Sequence, residues 1–169
     1  MKVGIIGAMK EEVALLVRTM SSERVVSVAG RNFYEGSIGD TATVVVQSGI
    51  GKVNAALCTQ ILIDRFEIDC VINTGIAGLL VDDLIVGDVV VSSDCVQHDI
   101  DVHTLGYPQG QIPGIATFSF PADTGLCKQA LDAVEKVAPY IKAMQGRIVS
   151  GDEFVADASK VEELREFGA

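Results

Sequence analysis

The stretch MKVGIIGAMKEEV, residues 1–13, decides how the chain is read. Its apolar run, 2–8, has the character of a buried strand and passes into a turn followed by two carboxylates, Glu11 and Glu12. Helical spacing then begins, with Val13, Leu15, Leu16 and Met20 supplying an apolar face. In open α/β sheets, ligands lie beyond the carboxyl ends of the strands. Met9 and Glu12 therefore stand where a substrate would lie, and Glu12 is the first candidate for chemistry. Taken alone, the pair of carboxylates is better read as the solvated first turn of a helix, where acidic residues suit the macrodipole.

Beyond this unit, residues 25–28, 32–38 and 43–47 have strand character, separated by Gly30–Arg31 and Gly39–Asp40 as in a hairpin or meander. Residues 51–66 switch to a helical period, with Val53, Ala56, Leu57, Ile61 and Leu62 expected to face inward. A strand over 69–73 ends in the glycine-rich NTGIAGLL, 73–80, and 87–93 form another strand. The irregular stretch 97–114 exceeds the usual loop length, and such loops tend to serve function or meet a partner. Asp123 is positioned to cap a helix with face Leu126, Ala130, Val134 and Val137, ended by Pro139. A strand at 146–150 and an acidic helix at 159–167 complete the order. The expectation is a single α/β domain over residues 1–169, a mixed β-sheet flanked by helices.

Composition excludes more than it selects. The core must be aliphatic, because 49% of residues are hydrophobic, mean hydropathy is +0.37 and Trp is absent. A formal charge of −10 with no Lys/Arg cluster argues against nucleic acid or an anionic membrane as partner. No apolar run approaches the ~18–20 residues that span a bilayer, and the first strand lacks the small-residue cleavage site of a signal peptide. A cytoplasmic location is expected. Cys58, Cys70, Cys95 and Cys127 form no C-x-x-C pair and are expected to be buried free thiols.

Three short patterns remain weak. GIIG lacks the full G-x-G-x-x-G fingerprint, and GIGK, 49–52, lacks the flanking frame of a phosphate loop. His98 and His103 in HDIDVH could ligate a metal, but alternation sets them on opposite faces, so a hydrogen-bonded loop is preferred.

The combination is specific where its parts are not. MKVGIIGAMKEEV, QSGIGKVNAA (47–56), VINTGIAG (71–78), VGDVVVSSDCVQHDID (86–101), GYPQGQIPG (106–114) and IVSGDEFV (148–155) occur in one order. Together they closely resemble the bacterial 5′-methylthioadenosine/S-adenosylhomocysteine nucleosidases of the purine nucleoside phosphorylase superfamily. The resemblance implies a nucleoside phosphorylase/hydrolase-like fold and release of adenine without metal or cofactor. It makes Glu12 the carboxylate that orients and deprotonates water, and places Met9 and Ile50 at the ribose and alkylthio pockets. Ile76, Ala77 and Gly78 fall in the strand-end loop near sugar and base; Ile76 stands where the family often has Ser. Phe154 corresponds to the ring that stacks on the purine, and the backbone of Val155 to the group that reads the adenine edge. Val102, Leu105, Tyr107 and Pro113 match a loop that, in family homodimers, caps the neighbouring subunit's site.

The resemblance ends with the chain, after the helix that follows SGDEF. Family members continue into a strand with a Met-Glu pair that grips ribose and a strand with a Ser-Asp pair whose Asp protonates adenine N7. The chain is therefore expected to be a C-terminally truncated body of the fold, with Asp94 and Asp152 belonging to other motifs. The alternatives are a purine nucleoside phosphorylase, a non-catalytic nucleoside-binding remnant and, more distantly, a dinucleotide-binding domain.

Overall fold

The first strand, β1 (Lys2–Gly7), runs into helix α1 (Lys10–Thr19), as the opening residues require. A computed structural model describes residues 1–21 and 24–169, and the chain divides into two compact units, Met1–Ala77 and Gly78–Ala169.

In the first unit a meander of β2 (Ser21–Val28), β3 (Arg31–Ile38) and β4 (Thr41–Gln47) follows α1, then helix α2 (Lys52–Phe66) and β5 (Cys70–Asn73). The sheet order is β2-β3-β4-β1-β5, with β1 parallel to both β4 and β5 and the meander antiparallel. Strands enclosed on both faces read as continuous apolar runs, and Val44, Val45 and Val46 are all fully buried. The helices take opposite faces of β1: a side chain at Gly7 would meet Val13 of α1, whereas one at Gly4 would meet Leu62 of α2. On the α2 side, Ile6, Phe33, Val44, Val46, Cys58, Leu62 and Phe66 form the core, with the Phe33 and Phe66 rings stacked at 5.1 Å.

The inward face of α2 differs from the expected one. Cys58, Leu62 and Phe66 are buried, with Ile61 beside them, while Val53 and Leu57 are exposed. The long apolar sequence of α2 fits more than one face, and contact with Gly4 and Phe33 selects the one carrying Leu62 and Phe66.

The second unit holds β6 (Val89–Gln97), β7 (Phe120–Pro121), α3 (Thr124–Val137), β8 (Ala143–Ser150) and α4 (Ala158–Arg165). Its sheet order is β7-β6-β8, with β6 parallel to β8. Asp123 caps α3 as expected, its carboxylate accepting from the Leu126 N–H at 2.8 Å. Cys127 is the buried residue of α3, Leu126 and Val134 are half-buried, and Ala130 and Val137 are exposed, which corrects the expected face. Of the four thiols, all free, Cys58 and Cys127 are buried, Cys70 is half-buried and Cys95 is exposed; burial was too strong an expectation for Cys95.

Arg147 on β8 grips Asp94 on β6 with two parallel hydrogen bonds of 2.8 and 2.7 Å, and its third nitrogen donates to the Phe167 carbonyl at 2.6 Å. This fork joins the two strands to the segment after α4. The Arg147 guanidinium holds the Asp94 carboxyl below the usual carboxylate range. Because the folded carboxyl titrates below its unfolded value, its stabilisation is complete above an unfolded pKa of ~3.9 and is lost as pH falls through the folded value. Acid unfolding of Asp94→Asn, followed by circular dichroism, is therefore expected to show a weaker dependence on pH below about 4. At neutral pH the variant should lose about 1–3 kcal/mol, since Arg147 keeps its burial but loses a charged partner.

Candidate active site

Three connections leave the carboxyl edge of the first unit's sheet side by side. Backbone bonds extend the ladder past the strand ends: Ser48 N–H donates to Gly7 O at 2.9 Å, Gly49 N–H to Ala8 O at 3.1 Å, and Thr74 N–H to Ile6 O at 2.9 Å. Because β1 lies between β4 and β5, this alignment gathers Met9 and Glu12, Ile50, and Ile76 and Ala77 from sequence-distant loops to one end.

Glu12 is the focus of that end. It is the third residue of α1, with Met9 as the N-cap in extended conformation. The Met9 N–H donates to Glu12 Oε2 at 2.8 Å, and the Glu12 N–H returns a bond to the Met9 carbonyl at 3.2 Å. This is the acidic half of a capping box, in which the N3 carboxylate satisfies an otherwise orphaned N–H. The other oxygen, Oε1, accepts from the Ile76 N–H at 3.1 Å. Each carboxylate oxygen thus has one backbone donor and retains lone-pair capacity for a water or a ligand. The arrangement supplies a fixed negative charge that can accept a proton or stabilise a cation. In the loops at this end Ile50 and Ile76 are 76% and 82% exposed, and Ala77 is also exposed.

Sequence reasoning singled out Met9 and Ile76 as residues near a ligand and missed that their backbone N–H groups hold Glu12. The Met9 bond had a local signal, the N-cap-to-N3 spacing. The Ile76 bond spans 64 residues and had none.

In the second unit, two further groups of expected residues follow the carboxyl ends of the parallel strands β6 and β8, which are joined there by the His98 N–H donating to Ser150 O at 3.0 Å. Phe154, 92% exposed, and half-buried Val155 lie just after β8. The stretch after β6 contains a short 3₁₀ turn, His103–Leu105, preceded by half-buried Val102; Leu105, Tyr107 and Pro113 are exposed. Gln109 ties this loop down, its amide donating to His98 O and to Glu163 of α4, both at 3.1 Å. Gly78 opens the unit and is exposed.

The two histidines part company. His98 is buried, whereas His103 is exposed and its Nδ1 lies 2.6 Å from Asp101. Among the described residues no three His, Cys, Asp or Glu side chains gather to hold a metal ion.

The sequence pattern of the phosphorylase superfamily matches residues 2–169. The chain belongs to that superfamily. A 5′-methylthioadenosine/S-adenosylhomocysteine nucleosidase of Exiguobacterium sp. is 46% identical over 97% of this chain and 70% of its own length. The crystal structure of such a nucleosidase from Colwellia psychrerythraea, in complex with adenine, superposes with a TM-score of 0.93 at 43% identity, covering 98% of this chain and 68% of that one. The Neisseria meningitidis nucleosidase in complex with methylthio-immucillin-A gives 0.93 at 42% identity, covering 98% and 71%. The mixed α/β fold expected from the sequence is the fold of these nucleosidases.

Proposed function

We propose that this chain hydrolyses the N-glycosidic bond of 5′-methylthioadenosine and S-adenosylhomocysteine, releasing adenine. The observation that carries the reading is the Glu12 carboxylate, held by two backbone N–H groups at the carboxyl edge of a sheet shared with nucleosidases of that name. Breaking the bond leaves positive charge on the ribose ring, as in glycoside hydrolysis. A carboxylate beside C1′ stabilises that charge and takes a proton from the attacking water as it adds. Adenine also requires a proton at N7 to leave as a neutral base, a step assigned to no residue of this chain.

Water is favoured over phosphate as nucleophile: Ile76 offers no hydroxyl to an anion, and Glu12 would repel one. In this reading Met9 and Ile50 line the ribose and alkylthio pockets, and the backbone of Ile76, Ala77 and Gly78 borders sugar and base. Phe154 stacks on the purine and the Val155 backbone reads its edge; the exposed ring is one that a planar base would cover. Val102, Leu105, Tyr107 and Pro113 cap the site of a second copy in a homodimer, without metal or cofactor. Both units act as one nucleosidase domain, supported by the single superfamily match across them, and the protein works in the cytoplasm. Among the described residues no helix is long and apolar enough to cross a membrane.

Incubation of the purified chain with methylthioadenosine, with and without phosphate, should yield equal free adenine by chromatography. Strict phosphate dependence would instead assign a phosphorylase. Adenine binding by folded protein without any turnover would leave a nucleoside-binding module.

A further inference from the structure

We infer that Gly75 is a positioning residue for Glu12, its missing side chain being the space in which the carboxylate is held against the Ile76 N–H. The inference rests on the reading of Glu12 as the base. A Cβ at residue 75 would lie 2.7 Å from Glu12 Oε1, 3.2 Å from its Cδ and 3.6 Å from Oε2. A Cβ, which cannot hydrogen-bond, does not come that close to another heavy atom, so one group must yield.

The carboxylate is the group that yields. It ends a flexible side chain, whereas residue 75 is backbone that directly follows Thr74, whose N–H is bonded to Ile6 O. The φ of Gly75 is outside the positive range that a side chain avoids, so the obstacle to alanine is the Glu12 side chain. Displacement by about an ångström would break the 3.1 Å bond to Ile76 first. The side chain of Ile76 has no polar atom to restore it. The neighbouring glycine of the same motif, Gly78, has nothing within 4 Å of a built Cβ, so the demand for glycine is specific to residue 75.

Gly75→Ala tests this in two measurements on the full chain. In ¹⁵N-labelled protein, the Ile76 amide proton should move upfield in the variant as its acceptor withdraws, while the Met9 amide proton moves less. In turnover of methylthioadenosine, kcat should fall about 10²-fold, the scale of an ångström's misplacement, with KM changed far less. The double variant Gly75→Ala/Glu12→Asp, one methylene shorter, should recover part of that kcat, although Glu12→Asp alone lowers it. An Ile76 amide proton unmoved by Gly75→Ala, or a kcat loss that Glu12→Asp deepens, would overturn the inference. Absence of adenine release by the wild-type chain, with the Ile76 amide still shifted by Gly75→Ala, would overturn the nucleosidase reading and leave the positioning role in place.

Discussion

Glu12→Gln will lower kcat for adenine release from methylthioadenosine by about 10²–10⁴-fold, the range lost with a positioned general base. The substitution keeps side-chain length and removes the charge. The amide oxygen can still accept from the Met9 N–H, which in the native protein bonds Oε2 at 2.8 Å. The amide nitrogen then faces the Ile76 N–H, donor against donor, where Oε1 now accepts at 3.1 Å. Glu12 sits on a half-exposed helix end, so folding should lose no more than about 1 kcal/mol. Substrate binding should persist, because the apolar groups beside Glu12 are untouched. Measuring kcat, KM and thermal stability together separates the chemical loss from a structural one. Turnover equal to wild type would remove Glu12 from the role of base.

Phe33→Ala will destabilise the protein by about 3–5 kcal/mol, among the largest costs a core truncation produces. Phe33 is fully buried, is paired with Val46 across β3 and β4, and stacks on Phe66 at 5.1 Å. Its removal opens a cavity between a sheet and a helix that cannot close without breaking the ladder. Urea unfolding should show the midpoint falling with little change in slope. Val53→Ala, on the same helix that covers Phe33 but 79% exposed, should cost less than about 0.5 kcal/mol. Equal losses from the two substitutions would mean that the core lies on the other face of α2.

These two residues differ in how far local sequence revealed them. Glu12 follows an apolar strand and a turn, and its place at the third position of a helix is a local pattern. Phe33 sits in a run of mixed polarity, RNFYEGSI, that marks a strand without showing which residue meets the opposite helix. The inward faces of α2 and α3 were misread for the same reason. Their apolar residues are frequent enough to suit several stripes, and only the neighbours that each helix meets select among them.

Local patterning determined the longer elements, their order and the mixed α/β class, because strand and helix periods and caps are set within a few residues, but it gave no sign of the two-residue strand β7 or the 3₁₀ turn His103–Leu105. The six ordered motifs determined the family: five span a strand end and the turn after it, and GYPQGQIPG lies in the long loop that follows β6. Tertiary structure alone decided what holds the Glu12 carboxylate. One donor, Met9, is three residues away and written into the helix start, but the other, Ile76, is 64 residues away. It arrives only because the parallel ladder sets β1 beside β5. That register is a property of the assembled sheet, which no residue of either loop encodes by itself.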